Sequence, residues 1–205
     1  QINFLRENNE VGVLSNAYEI INDRGKVLRT VRLPLYHNEI EQAMTKHCSC
    51  CFPSSIMRTE AIHTVGGFNE NLVSAEDFDL FLRLLPVTTF RNISSILFQY
   101  RKSPPSISVK EKLSMRRNTH TLSHNYLLAR LSSEKDNSMV AGMCFRLGVN
   151  EYYHGSMRSA REYFFKSLRY GYNKKAVGRY LLPTMLGDTI FRVFRYFRNR
   201  EYFLV

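Results

Sequence analysis

Apolar positions change spacing along the chain, and the changes divide it into elements. Ile2, Phe4 and Leu5 are placed inward on the end of a helix over Gln1–Asn9. Val11 to Ile21 is a mostly apolar run of strand length, and Lys26 to Leu33 forms a returning strand. Between them Asn22-Asp23-Arg24-Gly25 predicts a turn, because Asn and Asp close local hydrogen bonds and Gly accepts positive φ. Asn38 with Glu41 three residues on opens a short helix to about Lys46. Thr59 caps another helix to Val65, with Gly66 beyond its end. Phe78, Phe81, Leu82 and Leu85 recur at three- and four-residue spacing, which predicts an amphipathic helix with one buried face. Thr88–Arg91 and Ile96–Arg101 are expected as two strands.

Pro104-Pro105-Ser106 marks a boundary. Beyond it the spacing is helical: one long helix over Lys110–Ser133, a polar break at Glu134-Lys135-Asp136-Asn137, then further helices. Leu147-Gly148, Gly155, Ala160, Phe164 and Leu168 fall at the spacing of one tetratricopeptide-like helix pair, with small residues where the helices cross. The expected organisation is an α/β part over residues 1–109 and an all-α tail over 110–205.

The helix of Phe78 and Phe81 is headed by acids. Glu76, Asp77 and Asp79 fall within one turn, where free N–H groups and the dipole favour carboxylates. Ser74-Ala75-Glu76-Asp77 also fits a capping box with Ser74 as N-cap. Gly66-Gly67 permits positive φ or close approach of the backbone to a ligand. A glycine turn leading into an acid-headed helix suits a hydroxylated substrate that must lose a proton.

The net charge is +11 over 205 residues, which favours anionic partners without choosing among nucleotide sugars, lipid phosphates, a membrane surface and nucleic acid. No recognised nucleic-acid motif accompanies the charge, so nucleic acid is not expected as a partner. Basic and aromatic residues concentrate in the last third, ending in Phe191-Arg192-Val193-Phe194-Arg195-Tyr196-Phe197-Arg198. That pattern serves equally a helix lying on an anionic membrane and a helix packing its aromatics inward. No apolar run is long enough to span a bilayer. Of the four cysteines, Cys48, Cys50 and Cys51 crowd beside His47. Their spacing matches neither a disulfide framework nor a zinc site. They are expected as small buried hydrophobes in a reducing cytoplasm.

Gly66-Gly67-Phe68-Asn69-Glu70, followed by Glu76-Asp77-Phe78-Asp79-Leu80-Phe81-Leu82-Arg83, resembles the G-G-[FY]-x-E and E-D-[FYW]-D-L-x-L-R signature of family 2 glycosyltransferases with the GT-A fold. Pro53, Ser54 and Arg58 keep their places in a segment similar to the family's H-P-S-x-M-x-R strand, with Phe52 where the family has histidine. Tyr100-Arg101 and the serines after it resemble a closing Y-R-x-H-x-x-S-x-S, with Ser103 in place of histidine.

The resemblance implies a partial GT-A, Rossmann-like domain followed by a helical tail, with the chain beginning just after the family's nucleotide-binding half and its D-x-D. It implies inverting sugar transfer from a nucleotide-sugar donor to a hydroxyl of a glycan or lipid-linked acceptor. Asp77 would be the base with Glu76 beside it. Gly66, Gly67, Asp79 and Ser54 would line the site, and Arg101 would lie near the donor phosphates. Without the family, Arg101 suits a solvated strand end. A divalent cation, Mg or Mn, would be held mainly by the D-x-D outside this chain. The implied setting is bacterial surface-polysaccharide or cell-envelope synthesis in the cytoplasm, peripheral to the inner face of the plasma membrane. The alternative is a non-catalytic helical module that binds an acidic protein or membrane surface.

Overall fold

The computed structural model describes residues 1–45, 47–102 and 112–185. Expectations about Lys46, Ser103, the Pro104-Pro105 boundary and the basic run after Phe191 lie outside the described residues. The fold is mixed α/β and divides into two compact units, Gln1–Ser123 and His124–Val205.

In the first unit α1 (Ile2–Glu7) leads into β1 (Val11–Ile21), which is buried along its first seven residues. Leu5 of α1 is buried, whereas Ile2 is exposed, so the inward stripe of this short helix is narrower than its apolar residues suggest. β1 is the centre of a four-stranded mixed sheet. It pairs antiparallel with β2 (Val27–Val31) and with the two-residue β3 (Ile56–Met57), and parallel with β4 (Thr89–Arg101). The β1–β2 turn closes as its composition dictates: the Asn22 Oδ1 accepts from the N–H groups of Arg24 and Lys26 at 3.0 and 2.9 Å, and Gly25 takes φ +79°.

β4 is one strand, not two. Where Asn16 pairs with Ile93, Ala17 pairs with Ile96, so Ser94 and Ser95 are the extra residues of a bulge in a continuous ladder. Polar residues at that point suggest a break, but parallel pairing on both sides carries the strand through. Buried Asn92 is held there by donating to the carbonyls of Pro34 and Ser49 at 2.6 and 3.0 Å.

Helix α2 (His37–Met44) starts earlier than the Asn38/Glu41 spacing suggests. Tyr36 is extended because it bridges Arg91 of β4, and Glu39 reaches back to the N–H groups of Leu35 and Tyr36 at 3.2 and 3.3 Å. Likewise Arg58, rather than Thr59, is the N-cap of α3 (Thr59–Thr64). Its backbone N–H pairs with the Gly12 carbonyl at 2.8 Å, and its guanidinium donates to Val11 and Leu5 carbonyls at 2.9 and 2.7 Å.

α4 (Glu76–Leu84) buries Phe78, Leu80, Phe81, Leu82 and Leu84. Edge-on ring contacts near 6 Å join Phe68, Phe52, Phe81 and Phe90 in sequence, and His37 follows at a tilt. This chain of rings fixes α4 to the segments before it and to β4 after it.

The capping box on α4 does not form. The N-cap is Ala75, in the left-handed region at φ +65° and ψ +27°, with no side-chain cap. Ser74 is buried, and its hydroxyl and carbonyl oxygens both accept from the Asn118 amide at 3.1 Å. Asn118 lies on α5 (Lys112–Ser133), and Ser123 of the same helix donates to the Thr45 carbonyl at 2.6 Å. These bonds attach the first part of α5 to the first unit, which extends to Ser123.

Left-handed backbone costs an L-residue about 1–2 kcal/mol. Ala75→Gly is expected to change urea stability by less than about 1 kcal/mol, because relieved strain offsets lost burial and a freer unfolded chain. Ala75→Val is expected to lose about 2–3 kcal/mol, since a β-branched side chain tolerates positive φ poorly. Equal effects of the two substitutions would contradict the strain assignment.

The second unit contains the end of α5, then α6 (Asn137–His154), α7 (Met157–Arg169) and α8 (Lys174–Met185). The polar break caps α6 through Asp136, whose carboxylate accepts from the Met139 N–H at 2.9 Å. Ser156 caps α7 by accepting from Arg158 and Ser159. Tyr152, Ala160, Phe164 and Val177 form the buried cluster between these helices. Gly148 lies under the Phe164 ring, 2.6 Å from where a Cβ would begin, so the helices approach there only because the side chain is missing. Among the described residues no helix is long and apolar enough to cross a membrane.

Candidate active site

Two glycines shape the approach to α4. Gly66 and Gly67 both take positive φ, +76° and +74°. A Cβ at either would meet nothing within 4 Å, so conformation rather than space requires glycine here. Their N–H groups return to the carbonyls of His63 and Ile62 at 3.1 Å, closing α3. Phe68 follows and stands edge-on to Phe52.

The turn is also anchored from α4. Arg83 Nη1 donates to the Val65 carbonyl at 2.7 Å. The same guanidinium is paired with Asp79, Nη2 to Oδ2 at 2.6 Å and Nε to Oδ2 at 2.8 Å. Asp79 is buried, so its carboxylate fixes Arg83 and, through it, the residue before Gly66-Gly67. Asp79, expected to line the site, is thus linked to the glycine turn through Arg83.

Among the described residues Asp77 has no such cationic partner. It is half-buried at the head of α4, and its Oδ1 accepts from the Phe78 N–H at 2.7 Å. Burial pushes its carboxyl above the usual carboxylate value, the Phe78 bond opposes the shift, and the charge of neighbouring Glu76 adds to it. Glu76 itself is exposed. A carboxylate with depleted solvation and an open oxygen is more basic than one in water, as proton abstraction requires.

Facing this helix head is the segment Cys48–Ser55. Burial pushes the Cys48 thiol up to about 12, with the Asp77 charge contributing in the same direction. Burial raises Cys50 and Cys51 as well. All three thiols are held away from the thiolate, the form that binds metal or attacks as a nucleophile. Cys51 organises the segment through its backbone: its N–H donates to Ser15 Oγ at 2.8 Å, and its carbonyl accepts from Ser54 Oγ at 3.2 Å and Ser55 Oγ at 2.9 Å. Ser54 is thereby part of a short 3-10 turn over Phe52–Ser54, and its carbonyl accepts from Gln1 at 2.7 Å. Tyr18 of β1 belongs to the same neighbourhood. Burial raises its phenol first, then the nearby Cys51, with Cys48 a smaller contributor.

The structure thus brings Asp77, the Cys48–Ser55 segment and Tyr18 together, with Gly66-Gly67 joined through the Phe68–Phe52 contact. Among the described residues no hydrogen bond connects Arg101 to this group. Its Nη1 donates to the carbonyls of Asn22 and Asp23 at 3.0 and 2.9 Å, at the β1–β2 turn. Tyr18 and Ser15 escaped the sequence reading. The available signal was Ser15-Asn16, a buried polar pair inside an otherwise apolar strand.

Among the described residues no three His, Cys, Asp or Glu side chains converge to hold a metal ion. The resemblance assigns the cation mainly to a D-x-D segment that is not among these residues.

No protein-family model matches the chain. It is 28% identical over 111 residues to an uncharacterized glycosyltransferase of Rickettsia felis (strain ATCC VR-1525 / URRWXCal2), an alignment that covers 49% of this chain and 18% of that relative. The chain thus spans about a fifth of the length of the curated relative it matches.

Proposed function

We propose that this chain carries the acceptor side of a glycosyltransferase, in which Asp77 removes the proton from the attacking hydroxyl. The likeness to the Rickettsia felis protein supports a glycosyltransferase in general. The observation that carries the assignment of the base is the half-buried Asp77 carboxyl at the head of α4, the helix whose Arg83 anchors the residue before the positive-φ Gly66-Gly67 turn. The finer reading is family 2 with a GT-A fold: a nucleotide-sugar donor, inversion at the anomeric carbon, and a glycan or lipid-linked acceptor in cell-envelope synthesis. As the hydroxyl oxygen attacks the anomeric carbon, Asp77 accepts its proton and the nucleoside diphosphate departs. The Gly66-Gly67 backbone and the Cys48–Ser55 segment shape the pocket, while Asp79 and Arg83 hold the turn.

Phe52 replaces the family's histidine with a ring that packs edge-on against Phe68 and Phe81, so this part of the wall contributes shape rather than a hydrogen bond. Arg101, whose Nη1 holds the β1–β2 turn carbonyls, is assigned to the donor phosphates by the resemblance alone.

The pH dependence tests the role of Asp77. The base must be ionised, so kcat/KM is expected to rise with pH through the Asp77 pKa, which burial places above 3.8. The stability effect runs the other way. The native state keeps the Asp77 proton to higher pH than the unfolded chain does. Between the two pKa values the native state binds more protons, and the Asp77 contribution falls as pH rises. An acid limb of the pH–rate profile at or below the ordinary carboxylate value would contradict the assignment.

A further inference from the structure

A second candidate site lies in the first unit. A cavity of about 410 Å³ opens where the segment after α1, the head of α2 and the start of β4 meet, with Asn8, Glu10, Tyr36, His37, Thr89 and Arg91 on its walls. Its centre of charge is unusual. The Arg91 guanidinium is half-buried, with its carbon 4.2 Å from the Tyr36 ring centroid and 5.9 Å from that of Phe4. Among the described residues its side chain has no hydrogen-bond or ion-pair partner.

Aromatic rings engage the face of a guanidinium and leave its edge, with five N–H donors, unused. The guanidinium nitrogens are not sealed from solvent, so they are open to a ligand, and their planar fork matches a carboxylate or phosphate. His37 adds a donor to the same wall. Its Nδ1 accepts from the Phe90 N–H at 3.1 Å, so in the neutral ring the hydrogen is on Nε2. Thr89 brings a hydroxyl and Asn8 an amide. Glu10 brings an acceptor for hydroxyl hydrogens, and its charge works against a doubly charged ligand.

We propose that this cavity binds a small hydroxylated monocarboxylate of the acidic-sugar class. Arg91 grips the carboxylate through its fork, and Glu10 and Asn8 take sugar hydroxyls. The proposal stands independently of the role of Asp77.

The test is calorimetric titration of the purified protein with glucuronate, glucose 6-phosphate and glucose as probes. Glucuronate is expected to bind, glucose not measurably, and glucose 6-phosphate more weakly than glucuronate. Arg91→Gln is expected to weaken glucuronate binding at least about tenfold, as loss of a charge-assisted fork implies. Arg91→Lys keeps the charge and loses the fork, so it is expected to weaken binding while leaving the melting midpoint unchanged. Glu10→Gln, at an exposed position, is expected to narrow the gap between phosphate and carboxylate. The proposal is overturned if glucuronate fails to bind at millimolar concentration, if glucose binds as well as glucuronate, or if Arg91→Gln leaves the affinity unchanged. Tighter binding of glucose 6-phosphate than of glucuronate overturns the carboxylate assignment.

Discussion

Asp77→Asn in the full-length protein is expected to lower the rate of sugar transfer by roughly 10²–10⁴-fold, the usual contribution of a positioned general base, while donor binding stays largely intact. Asparagine preserves the shape of the side chain and can still accept from the Phe78 N–H, the bond that Asp77 Oδ1 makes at 2.7 Å. What it removes is the basic oxygen. A fall in kcat/KM with little change in donor affinity separates loss of the base from loss of the fold. The Asn variant should also lose the acid limb described above. Near-normal turnover by a folded Asp77→Asn variant would sink the assignment.

Phe81→Ala is expected to produce the largest loss of stability, about 3–5 kcal/mol by urea denaturation, as for other buried Phe-to-Ala changes. Phe81 is fully buried and is the middle ring between Phe52 and Phe90, at 6.0 and 5.9 Å. Its removal leaves a cavity and also unseats Phe52, which carries the contact to Phe68 beside the glycine turn. Phe68→Ala is a useful control. Its side chain is already half exposed and its loss should cost much less. Comparable losses at the two positions would show that the ring chain is not the core of this unit.

The elements legible in the sequence are those whose cause is local. β1 is a mostly apolar run over the span at which it forms, the Asn22–Gly25 turn makes its own hydrogen bonds, and α4 follows the spacing of Phe78, Phe81 and Leu82. The elements that differ have causes distant in sequence. Ser74 looks like a helix cap, but its oxygens are occupied by Asn118, 44 residues away. Ser94-Ser95 looks like a break and becomes a bulge because β1 pairs on either side of it. Glu39 caps α2 because the bridge between Tyr36 and Arg91 sets where the extended backbone ends.

The same division runs through the candidate site. The acidic helix head and the Gly66-Gly67 turn were legible because they are contiguous. The engagement of Asp79 by Arg83 fits helical spacing, but the onward bond from Arg83 to Val65 spans 18 residues and no periodicity announces it. Tyr18 and Cys48 join the site only through the fold of β1 against the following segments.

The most direct test of the central claim is to incubate the full-length protein with a panel of nucleotide sugars and hydroxyl acceptors. Diphosphate release is followed, and the anomeric configuration of the product is determined by proton NMR. The account predicts acceptor-dependent release of nucleoside diphosphate, a product of inverted configuration, and loss of both in Asp77→Asn. Transfer with retained configuration, or equal turnover with and without Asp77, would contradict it.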